Sequence, residues 1–131
     1  MHGIEWIVEA QGCRTAELRS LAALQELFAA IIRELDLHVV GEVRWHPFPG
    51  NGGITGLALL SESHLTVHTF PEHQSLCLNL FCCRPRPEWD FVNELQVRLG
   101  AERVNVRRVE RPYGSDADEV LRGMPVREVV Q

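Results

Sequence analysis

The chain has 131 residues, 45% of them hydrophobic and 24% charged, with a net charge of −5 at pH 7. That length and balance fit one soluble domain able to bury a core, and the apolar runs fall short of the roughly 18–20 residues a membrane span needs. The acidic balance argues against a nucleic-acid surface, and the small basic group Arg107, Arg108 and Arg111 does not reverse it.

In chain order, residues 4–10 are apolar enough for a strand that Gln11 and Gly12 end. Thr15 is the expected N-cap of a helix, with Glu17 in its first turn and a stripe of Leu18, Leu21, Ala22, Phe28, Ile31, Ile32 and Leu35 that Asp36 should stop. Residues 37–45 read as a strand with Val39, Val43 and Trp45 on one face. Pro47, Pro49, Gly50, Asn51, Gly52 and Gly53 then force a loop. Residues 54–60, 64–70 and 75–82 follow as three strands. Pro87 suits the first turn of a second helix with Phe91, Val92, Leu95 and Leu99 on its buried side and Gly100 as its stop. Residues 103–109 make a last strand, and the tail after Pro112 is expected to be partly irregular. The consistent architecture is α+β: a two-layer sandwich of a mostly antiparallel sheet with two helices on one face.

The four cysteines, Cys13, Cys77, Cys82 and Cys83, show no C-x-x-C spacing, so reduced thiols and no metal site are expected. The opening residues Met1-His2-Gly3-Ile4-Glu5 lack the basic-then-apolar order of a secretory signal, and a cytoplasmic location is the expectation.

Chemistry concentrates in the run Ser61-Glu62-Ser63-His64-Leu65-Thr66-Val67-His68-Thr69-Phe70-Pro71-Glu72. In a strand His64, Thr66 and His68 share one side, and Ser63, Leu65 and Val67 the other. Four residues along a strand cover roughly 13 Å, too far for His64 and His68 to share one metal. No G-x-S-x-G elbow surrounds Ser63, so a hydrolase nucleophile is not indicated. What remains is backbone chemistry. A serine hydroxyl can attack the carbonyl of the preceding residue when the peptide is held in a strained turn, given a general base and an oxyanion donor. Alternation puts Ser63 and His68 on opposite faces. Either the backbone bends at residues 62–63, or His68 meets the cleaved end only after rearrangement.

The same run, from Glu62 to Glu72, resembles the self-cleavage segment of the prokaryotic S-adenosylmethionine decarboxylase proenzymes. Gly12-Cys13, His46, Phe48, Thr55-Gly56 and Phe81-x-Cys83 are similar to that family as well. The resemblance implies cleavage of a single 1–131 domain between Glu62 and Ser63, giving a 1–62 β chain and a 63–131 α chain. Ser63 would become a pyruvoyl cofactor that captures the substrate amine as a Schiff base. It further implies that Thr55 supports processing, that His68 removes the proton during processing, and that Cys83 is the acid of the decarboxylation. Phe48 and Phe70 would clamp adenine and Glu72 would meet the ribose hydroxyls. A homodimer with shared active sites, no membrane and no nucleic-acid partner complete the expectation. The implied product feeds spermidine synthesis; L-ornithine or L-arginine as substrate, or a non-processing regulatory or binding homologue, are the alternatives. The chain departs from the family at Thr55 (usually serine), Phe70 (usually tryptophan), Asn79 (usually aspartate) and Arg84 (usually glycine), and its Phe48 loop is one residue longer.

Overall fold

Strict alternation of apolar and polar side chains sets the layers of this chain, described here by a computed structural model that covers residues 2–127 and 129. Strand β1 (His2–Gln11) turns Ile4, Trp6, Val8 and Ala10 inward, all fully buried. The same period of two runs through β3 (Ile54–Leu60), β4 (Ser63–Phe70) and β5 (Ser75–Cys82). With the short β2 (Arg44–Pro47) and the long β6 (Arg103–Pro112) they form a sheet of order β2-β3-β4-β5-β1-β6, antiparallel at every junction. Helices α2 (Leu21–Glu34) and α3 (Phe91–Leu99) cover one face of it. On α2 the residues Leu24, Leu27, Phe28 and Ile31 are at most 1% exposed, each burial stabilising by on the order of 1.5–3 kcal/mol. The expected α+β sandwich, mostly antiparallel with two main helices on one face, is the architecture found.

Several local expectations are corrected. The first helix is split, because Thr15 opens only the one-turn α1 (Thr15–Leu18), with Arg14 at its N-cap and no side-chain cap bond. Ser20 is extended and caps the main helix, its Oγ accepting the Ala23 N–H at 3.1 Å. Asp36 sits just beyond the helix in a left-handed conformation, as a stop should. Residues 37–45 are no continuous strand. Gly41 turns the chain at φ +76°, and only the isolated bridge of Val39 to Leu60 and the four residues of β2 pair with the sheet. Trp45 instead lays its ring on Phe28, centroids 4.8 Å apart, and over Gly56, where a Cβ would lie 2.3 Å from the indole. Glycine at 56 is therefore a packing requirement of Trp45.

Pro87 lies ahead of α3 instead of within it; Asp90 is the cap, its Oδ1 accepting the Asn93 N–H at 3.2 Å. Phe91, Leu95 and Leu99 are buried as expected, whereas Val92 points outward. Gly100 ends α3 in the left-handed conformation with its N–H on the Gln96 carbonyl. Strand β6 runs past its expected end to Pro112, and the short helix α4 (Ala117–Leu121) orders part of the tail.

The opposite face of the sheet has no helix on it among the described residues. It presents Leu57 and Leu59, 50% and 59% exposed, beside Thr55, His64, Thr66 and His68. No helix of the described residues is long and apolar enough to cross a membrane.

Candidate functional site

The β3–β4 hairpin closes through Leu60 and Ser63, leaving Ser61 and Glu62 as a two-residue loop. Such loops normally place the positive φ inside the loop, on glycine or asparagine. Here Ser61 and Glu62 do not take it; Ser63 does, at φ +145°, a value rarely adopted by residues with a side chain. A distortion of this kind costs on the order of 1–3 kcal/mol and persists only where neighbours enforce it. The backbone is thus distorted at residues 62–63, one of the two alternatives that alternation left open, but the distortion does not bring Ser63 to His68, which stays five residues along the same extended strand.

The enforcing neighbours are visible. Glu62 is only 9% exposed, and its carboxylate is aimed inward. The His38 backbone N–H donates to Glu62 Oε1 at 2.9 Å, the His38 ring Nδ1 lies 2.8 Å from Oε2, and the Arg86 guanidinium is 3.9 Å from the same oxygen. Burial opposes ionisation of Glu62, yet the His38 hydrogen bonds outweigh it and hold the carboxyl below its usual range. The hydrogen bond and charge of Glu62 raise the His38 pKa in turn.

The Glu62 carbonyl, the one that a Ser63 hydroxyl would attack, accepts the Cys83 backbone N–H at 2.7 Å. The Tyr113 hydroxyl donates to the Cys83 carbonyl at 2.5 Å, so residue 83 is held on both sides. The adjacent cysteines differ sharply. Cys82 is fully buried, and burial pushes its thiol up to about 11, whereas Cys83 is part-exposed. A buried, high-pKa thiol is inert, so of this adjacent pair Cys83 is the more accessible sulfur.

A second group of side chains gathers at the other end of β4. Thr55 and His68 face each other across β3 and β4, with Thr55 Oγ1 2.9 Å from His68 Nδ1. Together with Phe48, Phe70 and Glu72 they line an open cleft of about 420 Å³. The Phe48 N–H donates to the Gly53 carbonyl at 2.7 Å, and the His46 ring stands edge-on to Phe48, which fixes the glycine loop over the cleft. Glu72 rides on a 3₁₀ turn (Pro71–His73) that Pro71 starts. Below the cleft, buried Thr69 accepts the Ile54 N–H and donates to the Leu18 carbonyl, both at 2.9 Å.

The candidate residues thus fall into two clusters. Glu62, Ser63 and Cys83 are together; Thr55, His68, Phe48, Phe70 and Glu72 are together. Five residues of extended β4 place Ser63 about 17 Å from His68. His64 joins neither cluster closely, its Nε2 lying 2.9 Å from Asn79 Oδ1, while Asn79 donates to Glu5 at 2.6 Å. Sequence reasoning missed His38, Arg86 and Tyr113, which come from loops and a strand end 24 to 30 residues away from their partners and carry no local motif.

Comparison with known proteins bears on what this arrangement is. The family model described as S-adenosylmethionine decarboxylase matches residues 4–112. The chain is similar to the S-adenosylmethionine decarboxylase proenzyme of Shouchella clausii (strain KSM-K16), 34% identical over 109 residues that cover 82% of this chain and 83% of that protein. The proenzyme of Caldanaerobacter subterraneus subsp. tengcongensis is 32% identical over 80% of this chain and 84% of its own length. The crystal structure of the adenosylmethionine decarboxylase from Aquifex aeolicus VF5 superposes with a TM-score of 0.71 over 88% of this chain and 94% of that one; at 20% identity this likeness speaks for the fold. The chain belongs to the S-adenosylmethionine decarboxylase family.

Proposed function

We propose that the chain is a proenzyme that cleaves itself between Glu62 and Ser63, makes a pyruvoyl group from Ser63, and decarboxylates S-adenosylmethionine. The observation that carries this reading is the scissile unit itself: a serine at φ +145° following a clamped glutamate whose carbonyl accepts the Cys83 N–H.

In the first step Ser63 Oγ attacks the Glu62 carbonyl carbon. A C–O bond forms, the peptide C–N bond breaks, and the serine nitrogen takes the hydroxyl proton, so an amide becomes an ester. The Cys83 N–H is placed to take the charge that builds on the Glu62 oxygen, and one such donor contributes about 10²–10³ in rate. Loss of the Ser63 Cα proton to a base then expels residues 1–62 as a carboxylate and leaves a dehydroalanine at residue 63. Water converts it to the pyruvoyl group and ammonia. Relief of the Ser63 backbone distortion favours the forward direction.

The base we assign to that elimination is His68 of a second copy of the chain. Within one chain His68 is about 17 Å from Ser63. The helix-free sheet face carries apolar Leu57 and Leu59 between the two clusters, a surface suited to a homodimer packed face to face. A two-fold relation of that kind sets the Ser63–Cys83 end of one chain against the Thr55–His68 cleft of the other. Thr55 Oγ1 then orients the imidazole.

The pyruvoyl carbonyl supplies the electron sink for carboxylate loss. The chain's own residues do the rest. Phe48 and Phe70 offer two aromatic faces for adenine, Glu72 accepts from the ribose hydroxyls, and the Cys83 thiol returns a proton to the carbon that has lost carbon dioxide. The product is an aminopropyl donor for spermidine synthesis in the cytoplasm.

The test is a denaturing gel followed by an assay of carbon dioxide release. The 14.9 kDa chain should resolve into fragments of roughly 7 and 8 kDa, dividing in the proportion 62 to 69 residues. Ser63→Ala should stay whole and carry no reactive carbonyl. Release from S-adenosylmethionine should exceed that from L-ornithine and L-arginine. A Ser63→Ala chain that still splits sinks the processing scheme, and turnover of ornithine or arginine alone sinks the substrate.

A further inference from the structure

We propose that His38 is the positioning residue for self-cleavage: by gripping Glu62 it holds the Glu62-Ser63 peptide in the bent form that the Ser63 hydroxyl can attack. This rests on the self-cleavage reading above.

The argument starts from an oddity of placement. Glu62 sits in a two-residue hairpin loop, where a carboxylate can point into water at no cost. It points inward instead and is 9% exposed, which is unfavourable unless partners compensate. His38 compensates from both directions. Its N–H and its ring take the two carboxylate oxygens, and its carbonyl accepts the Ser61 N–H at 2.8 Å. The loop is therefore tied along its whole length to the segment following α2. Arg86 braces the tie, its Nε on the Leu35 carbonyl at 3.0 Å and its outer nitrogen 3.9 Å from Glu62.

The consequence reaches the reacting atoms through one peptide plane. Rotation of the 62–63 peptide changes ψ of Glu62 and φ of Ser63 together, and a flip would relieve the +145° angle. The same flip would swing the Glu62 carbonyl off the Cys83 N–H and remove the oxyanion donor. Anchoring the Glu62 side chain withholds the freedom that the loop needs to relax in this way. A merely structural His38 would matter for stability; a positioning His38 matters for the cleavage rate of chains that are already folded.

The titratable and charged groups facing His38 are Glu62, Asp36 at 3.7 Å from Nε2 and Arg86, with Arg33 lining a separate hollow beside α2 that Asp36 and His38 also line. Glu62 favours the charged ring, so the tie is complete below the raised His38 pKa and loosens as pH rises through it. At the acid end it is lost as pH falls through the depressed Glu62 pKa.

The experiment follows cleavage of full-length chains in a cell-free translation and chase, for wild type, His38→Ala and His38→Gln. His38→Ala should cleave about tenfold more slowly or worse, the effect of removing a hydrogen bond to a charged group. His38→Gln keeps an N–H donor without the charge and should recover to within about threefold of wild type. The ratio of wild-type to His38→Gln rates should fall as pH rises, since other titrating groups cancel in it. His38→Ala placed in the uncleavable Ser63→Ala chain, followed by thermal unfolding, separates folding from rate; if that chain does not fold, the glutamine variant and its pH ratio decide. Cleavage of His38→Ala within about twofold of wild type, or a pH-independent ratio, overturns the proposal while leaving self-cleavage intact. A wild-type chain that never cleaves removes self-cleavage and this proposal together.

Discussion

Thr69→Val tests whether the floor of the aromatic cleft is held by one hydroxyl. Thr69 is 5% exposed, and its Oγ1 both accepts the Ile54 N–H and donates to the Leu18 carbonyl, joining the start of β3 to the end of α1. Valine keeps the shape and deletes both bonds. Each buried backbone group left unpaired costs about 1–3 kcal/mol, and the added methyl returns on the order of 1 kcal/mol, so a net loss of about 1–5 kcal/mol, centred near 3 kcal/mol, is expected. For a chain of this length that lowers the melting temperature by about 10 °C. The measurement belongs in the Ser63→Ala chain, where no cleavage can complicate the transition. Thr69→Ser is the control: it keeps both hydrogen bonds and should cost about 1 kcal/mol for one buried methyl. A valine variant within about 0.5 kcal/mol of its parent would refute the account, because it would mean that water or a backbone shift satisfies both groups.

Cys83→Ser should cleave itself but turn over poorly, since a hydroxyl is a far weaker acid than a thiol, whereas Cys82→Ser should lose stability more than activity because residue 82 is fully buried. The reverse pattern in a carbon dioxide assay would reassign the acid. Phe70→Ala should raise KM for S-adenosylmethionine by about tenfold while leaving chain cleavage alone, because it removes an aromatic face from the cleft and does not touch the hairpin; a defect confined to kcat argues against an adenine clamp. Ser63→Ala and His68→Ala chains, each inactive alone, should regain about a quarter of the wild-type sites when unfolded and refolded together, as random pairing into two-fold dimers requires. No recovery places the whole site within one chain.

The strands were legible locally. A period of two in residues 54–60, 64–70 and 75–82 reappears as β3, β4 and β5 with at most one residue of difference, because side-chain alternation is a property of the strand itself. The run from Glu62 to Glu72 pointed to backbone chemistry and to its family without any fold. Helix boundaries were less legible: Ser20 and Thr15 are both acceptable caps, and the break between α1 and α2 lies where the Leu18 carbonyl accepts the hydroxyl of Thr69, a residue distant in sequence. The stretch around Val39 has the composition of a strand, but α2 and Gly41 bring it to the sheet at a single bridge.

Sequence by itself therefore determined the layers, most of the strands and which residues are candidates for chemistry, since period, capping and turn chemistry act between near neighbours. Tertiary structure alone decided how those residues are grouped. It set Cys83 against the Glu62 carbonyl, brought His38 and Arg86 to the Glu62 carboxylate, and left His68 at the far end of its own strand. Those relations depend on strand order and on where loops return. Only the assembled sheet fixes them, because hydrogen bonds between residues 20 or more apart in sequence form wherever the packed elements happen to meet.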